Sequence, residues 1–296
     1  MTSKAECLVR LVTLIDVVMN ERRGLSGRAT RCVGCSPTAR HAVSRHVPIM
    51  ATSTLYAVSD SLETHALRWH HGGRWIVDGV SLVVHPGEIV GLLGPNGAGK
   101  TVTLSMIAGL LHPTSGSVSI DTKDVTKLPL HERAHIGLGF LTQERSVFTK
   151  LSAEDNVGLI LEARGLSSSE VRSRAEHLLA QFGLQHVAHT RAIQLSGGEQ
   201  RRLEVARSLA AEPRYLLFDE PFAGIDPLTI ESLHTIMVGL RASGVGILIT
   251  DHNVRETLAL CDRAYVLFNG HVLAQGSPSE LVANAEVRQR FLGDSF

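Results

Sequence analysis

The stretch "EIVGLLGPNGAGKTVTLSMIAGLL", Glu88 to Leu111, decides how this chain folds. Its opening, EIVGLLG, is a short continuous apolar run of the kind that forms a strand covered on both faces of a parallel sheet. Its end, VTLSMIAGLL, carries a helical pattern. Between them GPNGAGKT, Gly94 to Thr101, matches the phosphate-loop motif and sits in the strand-to-helix context that the motif requires. In the loop Gly94-Pro95-Asn96-Gly97-Ala98-Gly99, the three glycines let the backbone wrap phosphates. Lys100 reaches the terminal phosphates as a point charge, and the Thr101 hydroxyl is placed to ligate Mg²⁺.

Working outward, three more apolar runs suggest strands of the same sheet: Ile136 to Leu141, Tyr215 to Glu220 and Val245 to Thr250. The run "YLLFDE" delivers Asp219 to a metal and Glu220 just beyond the strand end, where it can orient or deprotonate an attacking water. Gln143 in "FLTQE", Asp226 in "AGIDP" and His252 in "ITDHN" carry little weight singly. Their placement at strand ends, where open α/β sheets bind ligands, gives them weight together. From Leu151 to Leu195 no strand appears. The pattern there reads as two helices, one led by Ser152 and one opened by a Ser167/Glu170 capping box, with Gly165 and Gly183 as stops. "LSGGEQRRLEVARSLAAEP", Leu195 to Pro213, then puts a second Ser-Gly-Gly turn at a helix start, the geometry of another anion site.

Composition bounds these readings. The 296 residues carry 29 basic and 29 acidic side chains, so there is no global field to draw in nucleic acid. Four cysteines are too few for a disulfide framework, and the Cys32/Cys35 pair lacks the second pair of a structural zinc site. No apolar stretch reaches the ~18 residues of a membrane span. Residues 1–49, without helical or strand periodicity, read as a disordered leader or a mis-extended N-terminus, with Met50 as a plausible fresh start. The domain is expected over 50–296.

Phosphate loop, Gln143, signature "LSGGE", "FDEP", Asp226 and His252, in this order, resemble the ATP-binding-cassette ATPases over Leu67 to Gly293. The resemblance implies an α/β P-loop NTPase fold with a RecA-like core, an antiparallel β subdomain and a helical subdomain at about 148–197. It further implies that ATP and Mg²⁺ are bound, that Gln143 contacts Mg²⁺ and the attacking water, and that His252 contacts the γ-phosphate. Ser196, Gly197 and Gly198 would face ATP held by a second copy in a head-to-tail dimer, and Asp226 would communicate across it. Two positions depart from the family pattern. Val102 replaces the usual second Ser or Thr, which leaves only its backbone N–H for the α-phosphate. The adenine-stacking position falls on His71 without gaps, or on Trp69 with a shift of two residues.

Within the family, "TDHNVRET" and the terminal "FLGDSF" resemble the ATPases of lipopolysaccharide export, with branched-chain amino-acid importer motors as the alternative. That resemblance implies a peripheral subunit at the cytoplasmic face of the bacterial inner membrane. Its partners would be a pair of different membrane subunits of the LptF/LptG kind, and it would make no contact with cargo. Phe148, in "ERSVFTKLS", is expected either in the insertion's own core or, as the resemblance implies, in a groove that receives a short helix of a membrane subunit.

Overall fold

A computed structural model of the protein describes residues 60–293. The leader, the Cys32/Cys35 pair, Met50 and the last three residues lie outside them.

Two sheets organise the described residues. The first is antiparallel and contains β1 (Leu62–His71), β2 (Arg74–Val84), β4 (Ser115–Ile120) and β5 (Lys123–Asp124), in the order β2-β1-β4-β5. The second has the order β10-β9-β3-β8-β7-β6. Its strands are β3 (Ile89–Leu93), β6 (Leu138–Leu141), β7 (Tyr215–Asp219), β8 (Gly246–Thr250), β9 (Arg263–Phe268) and β10 (His271–Gly276). Only the β9/β10 pairing in this sheet is antiparallel.

The four sequence-predicted strands are there, each shorter by one or two residues than its apolar run. Ile136 ends the preceding helix α2 (Leu130–His135), and Gly137 follows at φ 101°, so β6 starts only at Leu138. Helix α1 (Lys100–Ala108) follows the phosphate loop, and α3 (Ala153–Ala163) and α4 (Ser168–Gln181) form the helical insertion. Both expected caps exist. Ser152 and Ser167 each exchange capping-box bonds with the residue three positions on, Asp155 and Glu170. The chain continues through α5 (Gly197–Leu209), α6 (Pro227–Ala242), α7 (Val254–Leu260) and α8 (Pro278–Ala283).

The central strands explain their own composition. Alternate residues of a strand point to opposite faces. Val90, Leu92, Leu217 and Leu248 accordingly join Leu67, Val77 and Val118 of the antiparallel sheet in one core, with Leu104 and Ile107 of α1. Ile89, Leu216, Phe218, Ile247 and Ile249 face the other way and pack with Val157, Leu161, Leu203 and Leu233. With both faces covered, no polar alternation survives in these runs.

One large charge lies within this framework. Arg133 is fully buried, and its guanidinium donates to the carbonyls of Met106, Ile107, Leu128 and Thr126. Two of these are last-turn carbonyls of α1, where a cation also meets the negative end of the helix dipole.

Candidate active site

The site is built at the carboxyl ends of four neighbouring strands, β3, β8, β7 and β6, as an open α/β sheet favours. After β3 the chain turns through the phosphate loop. A Cβ on Gly94 would lie 2.2 Å from the Leu267 carbonyl oxygen, and one on Gly99 would lie 2.8 Å from that of Ile76, so only glycine lets the loop nest against its supports. Lys100 is buried and its Nζ donates to the carbonyls of Gly94, at 2.7 Å, and Pro95, at 3.1 Å. Burial pushes its ammonium below the usual lysine range, opposed by the charges of Glu220, Asp219 and Asp251. A cation so held is poised over the loop interior, where phosphate oxygens would replace the carbonyls.

Asp219 ends β7 with its carboxylate buried. Its Oδ1 accepts hydrogen bonds from Thr250 Oγ1 at 2.7 Å and Thr101 Oγ1 at 3.3 Å. Desolvation raises its pKa, while the two hydroxyls and Lys100 act in the opposite direction. One carboxylate beside hydroxyls is an all-oxygen donor set. It suits Mg²⁺, which takes one or two protein ligands and completes its shell with waters and phosphate oxygens.

Glu220, the next residue, has φ 49°. A non-glycine residue in the left-handed region costs about 1–3 kcal/mol and persists only where its surroundings impose it. Here the Glu220 N–H donates to the Thr250 carbonyl at 2.8 Å. Its carboxylate accepts from Gln143 Nε2 at 2.8 Å, and His252 Nδ1 stands 3.7 Å from the same Oε2. The geometry thus gathers Lys100, Thr101, Gln143, Asp219, Glu220 and His252 around one point above the sheet, with a carboxylate next to an amide and an imidazole. That set can hold a phosphate chain and a divalent cation, and can take a proton from a water aligned with the chain.

The remaining predicted residues form a second group. Ser196 caps α5, accepting from the Glu199 N–H at 3.3 Å and donating to Glu199 Oε2 at 2.7 Å. The Ser196 hydroxyl and the Ser196 N–H, both donating to Glu199 Oε2, hold that carboxyl below the usual range. Asp226 caps α6, accepting from the N–H and the hydroxyl of Thr229 at 3.0 and 2.7 Å. Gly198 packs so closely on Thr229 that a Cβ would lie 2.5 Å from its Oγ1. The Ser196 turn and the Asp226 turn are therefore one packed unit. His71, exposed at the end of β1, lies parallel to Trp69 with ring centroids 5.2 Å apart. The two alternatives for a stacking aromatic are thus neighbours on a single face, and Val102 and Trp69 both pack on the core beneath.

Sequence reasoning missed the residues that join these parts. After Gln143, Arg145 bonds Gln200 of α5, Ser146 donates its N–H to Glu204, and Arg207 donates to the Ser146 carbonyl and hydroxyl. Arg207 also lies over the Phe148 ring, 5.1 Å from its centroid. Gln200, Glu204 and Arg207 recur at helical spacing along a buried face of α5, a polar stripe that would have marked the contact. Phe148 itself is half-buried and stays out of the insertion's core, which takes Val147 instead. Thr250 and Asp251, at the end of β8, were missed although His252 beside them was not.

Comparison with known proteins places this arrangement. The ABC transporter family model matches residues 77–223. The lipopolysaccharide export system ATP-binding protein LptB of Acidithiobacillus ferridurans is 51% identical over 239 residues, covering 81% of this chain and 99% of that protein. The protein of the same name from Escherichia coli K12 is 49% identical over 225 residues, covering 76% and 93%. Among solved structures, the ADP conformation of MJ1267, an ATP-binding cassette of an ABC transporter, superposes with a TM-score of 0.71 at 27% identity, covering 79% of this chain and 99% of that one. A dimeric post-hydrolysis state of the cassette MJ0796 bound to ADP and Pi gives a TM-score of 0.66 at 28% identity, covering 73% and 98%.

Proposed function

The chain belongs to the ABC transporter family as an ATP-binding subunit, and from that premise we propose that it is the ATPase that drives lipopolysaccharide export from the inner membrane. The observation that carries the reading is the identity of about one residue in two along nearly the whole length of relatives named for that system. It accompanies a site whose geometry fits hydrolysis of a nucleoside triphosphate.

In this reading the phosphate loop and Lys100 hold the β- and γ-phosphates of ATP. Thr101, Asp219 and Gln143 hold Mg²⁺, which, when bound, neutralises charge on the phosphate oxygens. Glu220 takes the proton of a water oriented by Gln143, and His252 contacts the γ-phosphate. Ser196, Gly197 and Gly198 serve the nucleotide of a second copy, and the dimeric cassette bound to ADP and Pi supports such an assembly. The helix N-terminus there favours a γ-phosphate by roughly 0.3–1 kcal/mol, up to ~2 when partly buried. ADP forfeits that term, so hydrolysis loosens the pair. His71 or Trp69 receives the adenine.

Among the described residues no helix is long and apolar enough to cross a membrane. The transport path would be supplied by a pair of membrane subunits of the LptF/LptG kind. They would hold the ATPase peripherally at the cytoplasmic face, and nucleic acid plays no part. The helical subdomain at about 148–197 forms the receiving side, with Phe148 as its anchor. The test is affinity capture from Gram-negative membranes with mass spectrometry of what binds. Wild type should retain two different membrane subunits. Phe148→Ala should lose them while still binding ATP, because an aromatic anchor contributes ~2 kcal/mol or more. Normal capture of the membrane subunits by Phe148→Ala would refute the groove.

A further inference from the structure

At the end of β8, between Thr250 and His252, Asp251 is a fully buried acid that none of the roles above uses. Its two oxygens go to two different loops. Oδ2 accepts the Phe222 N–H at 2.9 Å, and Oδ1 accepts the Asn253 N–H at 2.8 Å. Phe222 lies two residues beyond Glu220, and Asn253 one residue beyond His252. A single carboxylate thus stitches the chain that leaves the water-activating residue to the chain that leaves the γ-phosphate sensor.

The stitch falls where the backbone needs it. Glu220 is held at φ 49°, with its own N–H on the Thr250 carbonyl. That bond restrains it from the strand side only, and the Asp251 to Phe222 bond closes the turn from the other side. His252 is more than half exposed, and its Nδ1 lies 3.5 Å from Asp251 Oδ1 and 3.7 Å from Glu220 Oε2. The ring is thereby flanked by the two carboxylates, one fixed and one working. The two backbone N–H donors satisfy one oxygen each of this buried side chain.

From this we infer that Asp251 is a positioning residue, which holds Glu220 and His252 in register with one another so that the water-activating carboxylate and the γ-phosphate sensor act on the same phosphate. The role requires a carboxylate. An amide at this position would offer one acceptor oxygen and turn an NH₂ toward the second backbone N–H, donor against donor. Asp251→Asn therefore releases one of the two loops with almost no change in volume.

The inference rests on the ATPase reading, so Mg²⁺-dependent turnover of the wild-type full chain is measured first. No turnover there, with or without captured membrane subunits, refutes that reading and this inference with it. Given turnover, Asp251→Asn and Asp251→Ser are compared for kcat, for binding of a fluorescent ATP analogue, and for melting temperature. A displacement of about 1 Å at a reacting group costs up to ~10²-fold in rate, so kcat should fall roughly 10- to 100-fold. Nucleotide affinity should stay within about threefold, since neither phosphate loop nor Lys100 loses a bond. Introduced into Glu220→Gln, Asp251→Asn should cost less than it does in the wild type, because the share of its effect that passes through residue 220 is already lost. A kcat within threefold of wild type in either folded variant overturns the inference. So does a parallel loss of affinity and melting temperature in both variants, which would make Asp251 a support of the fold. If Asp251→Asn does not fold, Asp251→Ser decides alone.

Discussion

Gly197 and Gly198 are adjacent, and both belong to the signature turn, yet the structure separates them sharply. A Cβ on Gly198 would sit 2.5 Å from Thr229 Oγ1, 3.4 Å from its Cγ2 and 3.5 Å from its Cβ. Thr229 is buried, its hydroxyl is fixed by Asp226, and β-branching leaves χ1 few alternatives. Rotation would move the methyl into the same space and break the bond to Asp226, so the backbones of α5 and α6 must part instead. A Cβ on Gly197 would meet only the guanidinium end of Arg145, at 3.0 Å, which a flexible side chain can withdraw. Overpacking of this kind costs about 1–3 kcal/mol. Alanine's better helix propensity, worth up to ~1 kcal/mol, applies to both substitutions and cancels in their comparison. For a domain of this size ~1 kcal/mol moves the melting temperature by roughly 2–4 °C. Gly198→Ala should therefore melt about 2–12 °C below Gly197→Ala in the nucleotide-free full chain, followed by circular dichroism. Melting temperatures for the two variants within ~1 °C of each other would refute the claim that Gly198 is required for packing on Thr229.

Two other outcomes are expected. Glu220→Gln should keep ATP binding and lower turnover by roughly 10²- to 10⁴-fold, accumulating an ATP-stabilised dimer visible by light scattering; wild-type turnover, or monomer alone in ATP and Mg²⁺, would contradict the assignment of the base. Arg133→Met should destabilise the chain by about 3 kcal/mol or more, read from the urea midpoint, because four buried carbonyls lose their donor; an unchanged midpoint would show that water replaces the guanidinium at no cost.

Local chemistry made much of this protein legible from its sequence. Apolar runs such as YLLFD and GILIT are long enough only for strands, and their lack of alternation required a sheet covered on both sides. Ser152 and the Ser167/Glu170 capping box marked the starts of two helices, because an N-cap and its N3 partner satisfy each other locally. Flanking apolar runs and spacing were enough to put the phosphate loop and the Asp219-Glu220 pair at the ends of strands. What the sequence by itself did not determine lies wherever a side chain finds its partner far along the chain. The bonds from Ser146 to Glu204 and Arg207, the packing of Gly198 under Thr229, and the reach of Asp251 to Phe222 join residues about 30 to 60 positions apart. The polar stripe Gln200, Glu204 and Arg207 marks one side of such a contact but not its partner, since strand order β3-β8-β7-β6 differs from chain order and crossovers decide which strand ends meet. The strained Glu220 shows the same division: its identity as a carboxylate at a strand end was readable, whereas its left-handed backbone is imposed by the neighbouring strand that only the assembled sheet brings alongside.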